Sequence, residues 1–308
     1  MPATVITVFG GSGYLGSAIV RALLRRDNTV RVAARRPGHR QLFDGVESVH
    51  TVQADVRDAA SVDAALKGAN AAVNAVGLYV QKGIDSFESV HVRGAGSVAQ
   101  SAARSGVARL AHISGIGAST ASSSAYVRAR AAGERAVLES YPDATIVRPS
   151  VLFGPDDSFL NVIDGISRRS PVFPLFGTGS TRMQPVFVDD VAEAVGRILD
   201  AAQTQAGIVE LGGPGVYTYR KIIEAVLHHR TRRRLLLPIP FGLWTLQARL
   251  LSLLPSPPLT EDQVILMRDD NVVGKQVTTF EDLGITPRSL EALLPLCLGE
   301  RFGQDNAI

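Results

Sequence analysis

Three evenly spaced glycines constrain this chain more than any other feature. The segment Val8-Phe9-Gly10-Gly11-Ser12-Gly13-Tyr14-Leu15-Gly16 places Gly10, Gly13 and Gly16 three residues apart. It continues the apolar run Val5 to Phe9 and leads into Tyr14 to Leu24, where apolar residues recur at helical spacing. A strand, a tight turn and a helix in that order suit a pyrophosphate. The first glycine permits the turn, the second lets backbone approach the phosphates, and the third lets helix pack on strand. The helix start adds amide donors and a partial positive charge. Gly10, Ser12, Gly13, Tyr14, Leu15 and Gly16 are therefore candidate dinucleotide contacts.

The alternation continues to about residue 150. Short apolar strands are expected at 29–34, 46–54, 71–76, 110–113 and 144–147, with helices at 61–67 and 87–105. Such a rhythm predicts an α/β fold, a Rossmann-type doubly wound parallel sheet covered on both faces. After Pro149 the prolines Pro155, Pro171, Pro174 and Pro185 break the pattern, and Gly177-Thr178-Gly179 is expected to line a cleft. A helix is expected at 191–202, capped by Asp189 or Asp190. A strand is expected at 207–213 and a helix at 219–227. The expected organisation is a dinucleotide-binding domain over 1–150, whose core also receives about 184–213. A small C-terminal substrate-side lobe over 151–308 is discontinuous with that core.

The end of the second strand bears on which dinucleotide is held. An NAD site places an acid there for the ribose hydroxyls. This chain has Arg35 and Arg36 and no carboxylate. Guanidinium groups suit a 2′-phosphate through charge-assisted, fork-like bonds, which favours NADPH over NADH. Two exposed surface arginines are the plainer alternative. Asp55 and Val56 follow the third strand, where a carboxylate can accept from the adenine amine. Ala75, Val76 and Gly77 follow Asn74, where small residues admit the adenosine ribose. Each pair also suits a simple turn, but such sheets bind ligands at the carboxyl ends of successive strands.

Composition excludes several classes. The 308 residues are 45% hydrophobic and 20% charged, enough to bury a large core. A net charge of +3, spread along the chain without a zinc-finger, homeodomain or RNA-binding signature, does not point to nucleic acid. Cys297 is the single cysteine, so no intrachain disulfide forms and a reducing, cytoplasmic setting is expected. Six histidines show no metal-ligand spacing. No leader of charged then apolar residues precedes the first strand and no apolar stretch spans a bilayer, so neither a signal peptide nor a transmembrane helix is expected.

Further segments extend the pattern: Gln53-Ala54-Asp55-Val56-Arg57-Asp58, His112 to Ala118, Asp143 through Val147-Arg148-Pro149 to Phe153-Gly154-Pro155, Gln184 to Ala192, Glu210 to Pro214, Leu259 to Val264 and Asp270 to Val273. With the glycine motif they make the chain resemble the atypical, extended short-chain dehydrogenase/reductase family. Within it the resemblance is to the group of the NADPH-binding accessory subunit of respiratory complex I and its bacterial relatives. It spans nearly the whole chain. Enzymatic members use a tyrosine as general acid/base, a lysine four residues later that holds the nicotinamide ribose, and a serine after the fifth strand. The resemblance carries those roles to Tyr126, Arg130 and Ser114, with Pro149 near the cofactor. Here Arg130 stands for lysine and Gly115 for a second serine. Arginine keeps the charge, so some lowering of the Tyr126 pKa is expected, but its fork does not reproduce a compact ammonium.

Two hypotheses follow. The first is an NADPH-holding, non-catalytic or weakly catalytic assembly or stability factor for a respiratory complex I or quinone system. Its partners would be respiratory-chain or quinone-synthesis proteins. The second is an NAD(P)H-dependent oxidoreductase, epimerase or dehydratase acting on a keto or hydroxy group of a quinone precursor or isoprenoid. The departures at Arg130 and Gly115 favour the first; the intact Tyr126 and the expected cleft lining at Gly177-Thr178-Gly179 keep the second. The basic run Arg230-Thr231-Arg232-Arg233-Arg234 and the apolar stretch Phe241 to Leu254 admit two readings. One is a solvated helix end beside a core helix. The other is a peripheral contact through 230–254 with the cytoplasmic face of the inner membrane or with a partner.

Overall fold

The structure is a computed structural model. It describes residues 4–36, 42–200, 207–254 and 257–299. The expected helix end at Ala201 to Ala202 lies outside the described residues, as do Met1 to Ala3.

In chain order the elements begin with β1 (Val5–Phe9), α1 (Tyr14–Leu24), β2 (Thr29–Ala34), β3 (Val49–Gln53), α2 (Ala59–Leu66) and β4 (Ala71–Asn74). A π-helical segment, Glu88–Gly94, runs into α3 (Ala95–Arg104), followed by β5 (Arg109–Ile113), α4 (Ala125–Ser140) and β6 (Thr145–Pro149). Then come β7 (Leu152–Phe153), α5 (Ser158–Arg169), β8 (Val172–Phe176), β9 (Arg182–Met183), β10 (Val186–Phe187), α6 (Val188–Asp200) and β11 (Gly207–Leu211). The chain ends with β12 (Tyr217–Thr218), α7 (Tyr219–His229), β13 (Leu235–Ile239), α8 (Phe241–Leu251), α9 (Glu261–Leu266) and α10 (Leu290–Leu298).

The chain divides into two compact units. The first takes Met1–Ser150, Val188–Gly212 and Val273–Thr286. Its sheet runs β11-β6-β5-β4-β1-β2-β3, with every pairing parallel. Strand order reverses between β1 and β4, which is where doubly wound sheets open a ligand crevice. Val5, Thr7 and Phe9 are in register with Thr29, Arg31 and Ala33 of β2, and Phe9 also meets Asn74 of β4. One face buries Phe9, Val62, Leu66, Val98, Ala102, Leu110 and Ile146 against α2 and α3. A small residue on α4 allows close approach of the π-helical segment: a Cβ at Gly133 would lie 2.0 Å from the His91 carbonyl oxygen.

Local signals misplace several edges. The single helix expected at 87–105 begins as a π turn at Glu88, immediately beside the site described below. Asp189 and Asp190 sit inside the first turn of α6 rather than capping it. The third strand covers only Val49–Gln53.

The second unit takes Val151–Phe187, Gly213–Val272 and Pro287–Ile308. Its described strands form two-stranded pairs, β10 with β7, β12 with β9 and β13 with β8. Gly177 and Gly179, expected in a cleft, instead form a turn packed on Phe241 and Arg220. The arginine run is largely committed internally: Arg230 and Arg232 pair with Asp164 at 2.9 and 2.6 Å, and Arg234 donates to the Ser167 carbonyl. Helix α8 is not a core helix. Of its eleven residues only Ala248 is buried, while Leu243, Leu246 and Leu250 are 58%, 55% and 63% exposed.

Candidate functional site

The glycine turn is built as its spacing requires. Gly10 has φ +76°, a conformation open to glycine at little cost. Its N–H donates to Ala33 O at 3.0 Å, and the Gly13 N–H folds back to Gly10 O at 2.9 Å. A Cβ at Gly16 would lie 2.0 Å from that same oxygen, so α1 starts in contact with the turn. Gly13 is the N-cap of α1 and offers no side-chain cap, and no acidic residue lies in the first turn. The amide-rich helix start thus keeps its positive end for an anion. Ala75 and Val76 line the far side of Gly10, while Val56 packs into the core near Gly94.

At the carboxyl ends of β2 and β3 an ion-pair cluster forms. Arg57 donates to both Asp55 oxygens, at 2.9 Å from Nε to Oδ1 and 2.5 Å from Nη2 to Oδ2. The carboxylate expected to accept from an adenine amine is thereby engaged by its own neighbour. Asp85, which sequence reasoning missed, accepts from Arg35 Nη1 at 2.7 Å and Arg57 Nη1 at 2.6 Å. Hydrogen bonding from Arg57 holds the Asp55 carboxyl below its ordinary pKa, and Arg35 does the same for Asp85. Arg36 is exposed at the same strand end.

The third part gathers around Tyr126 and Arg130, one turn apart on α4. Ser124 caps that helix, accepting from the Val127 N–H. Arg130 Nε donates to Tyr126 Oη at 2.6 Å, and its Nη1 lies 3.4 Å from Ile113 O. Methyl groups at Gly77 and Gly115 would lie 3.8 and 3.9 Å from its guanidinium, and at Gly115 also 3.9 Å from Pro149 O. Arg130 therefore lies among the ends of β4, β5 and β6. Tyr79 stacks on Tyr126 at 5.5 Å between centroids, and Phe87 and His91 meet the ring edge-on. Spacing held no signal for Tyr79, Phe87 or His91; the π turn and the loop before it bring them in.

Electrostatics correct one expectation. Burial pushes the Tyr126 phenol well above its ordinary pKa, and the opposing pull of Arg130 does not reverse it. Burial works against the charge of Arg130 too, but Tyr126, Tyr79 and Glu134 hold its pKa above the ordinary value. Burial, with Arg130 nearby, lowers His91 to about 4 and His112 to about 3, so both rings are neutral at pH 7. The Asn74 amide donates to His112 Nδ1 at 3.2 Å. The cation here is a fixed guanidinium rather than a titrating group.

Ser114 Oγ is buried with no hydrogen-bond partner. An orphaned hydroxyl at the end of β5, a helix start without a side-chain cap at Gly13 and a cation among strand ends fit a nicotinamide dinucleotide. Among the described residues no group of three His, Cys, Asp or Glu could hold a metal ion.

Comparisons with known proteins agree with this fold. NADH dehydrogenase (ubiquinone) 1 alpha subcomplex subunit 9, mitochondrial, of Arabidopsis thaliana is 33% identical over 303 residues, covering 93% of this chain and 75% of that protein. Ceramide reductase of Caulobacter vibrioides is 30% identical over 239 residues, covering 77% and 74%. An NADPH-dependent quinone oxidoreductase of Escherichia coli, solved with NADPH, shares the fold at TM-score 0.75 and 17% identity, covering 94% of this chain and 98% of that one. The model of the NAD dependent epimerase/dehydratase family matches residues 6–212, and the chain belongs to that family.

Proposed function

We propose that this protein holds NADPH as a resident ligand and serves as an assembly or stability partner of a respiratory complex I or quinone system, with little or no turnover of its own. One observation carries the reading: Tyr126 is buried, its phenol is pushed up, and its oxygen accepts from Arg130. A general acid/base needs a pKa near the working pH, and this environment moves the phenol away from it. The relatives named for complex I support the partner class. In this reading the α1 start takes the pyrophosphate, Arg35 and Arg36 the 2′-phosphate, Ala75 to Gly77 the adenosine ribose, and Arg130 the nicotinamide ribose.

Titration of the purified protein tests it. NADPH is expected to bind about tenfold more tightly than NADH, and Arg35→Ala to erase the difference. Bound NADPH is expected to persist when candidate ketones and quinones are added. Rapid oxidation that Tyr126→Phe abolishes would make the protein an oxidoreductase instead.

The site of action we propose is the cytoplasmic face of the inner membrane. No described helix is long and apolar enough to cross a membrane. The second unit instead offers the exposed leucines of α8, with Leu253 and Leu254 beyond it, and the exposed Arg168, Arg169 and Arg233. Exposed apolar side chains and cations on one unit suit an anionic bilayer surface. The protein is expected to sediment with phosphatidylglycerol-containing vesicles. Leu246→Glu with Leu250→Glu should lower the bound fraction about fivefold or more with the melting temperature unchanged. Equal sedimentation of the two forms would remove α8 from the contact.

A further inference from the structure

We infer that Asp85 is an internal stand-in for the 2′-phosphate, a carboxylate that NADPH must displace from Arg35 and that thereby sets how strongly the site prefers NADPH. This rests on the assignment of Arg35 to that phosphate. Each Asp85 oxygen covers one guanidinium: Oδ2 lies 2.7 Å from Arg35 Nη1 and Oδ1 lies 2.6 Å from Arg57 Nη1. With Asp55 bound to Arg57, two arginines face two carboxylates. An arriving phosphate thus meets an Arg35 that is already paired, with only Arg36 exposed beside it, and it gains Arg35 fully only if that carboxylate withdraws.

The geometry suits Asp85, not Asp55, to withdraw. Asp55 accepts from three donor atoms of Arg57's side chain and backbone, two residues away on the same loop. Asp85 meets each arginine through a single nitrogen. It stands at the end of a short turn in which Lys82 and Asp85 exchange backbone bonds at 2.9 and 3.0 Å, with Ile84 largely exposed between them. Arg35 is itself 58% exposed at the side chain, so its partner can be exchanged without opening the core. A phosphate offers three oxygens and a larger charge than one carboxylate, so the exchange favours NADPH. NADH carries no group that calls for it, and its binding does not depend on Asp85.

Calorimetric titration of the full chain with NADPH and NADH separates the outcomes. Asp85→Asn is expected to tighten NADPH about tenfold while leaving NADH within about twofold. Asp85→Ser should behave like Asp85→Asn. Asp85→Glu, which keeps the charge, should stay within about threefold of the parent protein. If Asp85→Asn and Asp85→Ser leave NADPH unchanged or weaken it while Arg35→Ala still erases the preference, Asp85 merely positions the arginines and the inference fails alone. If Arg35→Ala leaves the preference intact, the phosphate assignment falls and takes the inference with it.

Discussion

Gly16→Ala is expected to abolish dinucleotide binding and to destabilise the protein by about 3 kcal/mol, lowering the melting temperature by roughly 6–10 °C. The new methyl carbon would lie 2.0 Å from Gly10 O, 2.8 Å from Gly10 C and 2.9 Å from Gly11 Cα. All three obstacles are backbone, so no side-chain rotation relieves the clash. The first turn of α1 must back away from the glycine turn, and that displaces the amides that would face a pyrophosphate. The loss also reaches the core, because Leu15, Ile19 and Leu23 on the same helix are buried. Calorimetry and thermal unfolding read the two effects separately. A Gly16→Ala protein that bound NADPH with parental affinity would show that the turn does not hold the phosphates.

The second large effect is expected at Arg148. Its Nε and Nη2 donate to the two oxygens of Glu134 at 2.9 and 2.6 Å, and its Nη1 donates to Glu210 Oε1 at 3.2 Å. Glu210 Oε2 also accepts from the Gly274 N–H at 2.9 Å. Glu134 and Glu210 are 5% and 6% exposed, so removing the arginine strands two buried carboxylates. Arg148→Met is expected to cost about 3–5 kcal/mol in denaturant unfolding, the range for breaking a buried ion pair from one side. Arg148→Lys, which keeps the charge but loses the fork, should cost less. Adding Glu134→Gln and Glu210→Gln to Arg148→Met should restore much of the loss. No recovery would mean that Arg148 acts through packing alone.

The two residues differ in how far they could be read beforehand. Gly16 belongs to a motif whose parts lie within seven positions, so backbone sterics can be argued directly from spacing. Arg148 was visible only as part of a resemblance, and its two acids lie 14 and 62 positions away. Likewise Arg35 and Arg36 stood out at a strand end, but Asp85 is 50 positions from Arg35 and sits in a loop without periodicity. The Tyr126–Arg130 pair was visible through the resemblance, and the helix that carries both was not among the expected elements. The direction of the Tyr126 pKa was not legible, because burial by Tyr79, Phe87 and His91 is a property of elements that meet only in the folded chain.

Amino-acid order alone determined the parallel α/β layering, the glycine turn after β1 and the cation at the end of β2. Each follows from hydrogen-bonding periodicity and backbone sterics acting over a few residues. Tertiary structure alone decided that Asp85 covers Arg35, that Arg130 is sealed against Tyr126, and that α8 turns its leucines outward. Those outcomes depend on which surfaces lose water and which charges meet, and both are settled by contacts between segments far apart along the chain.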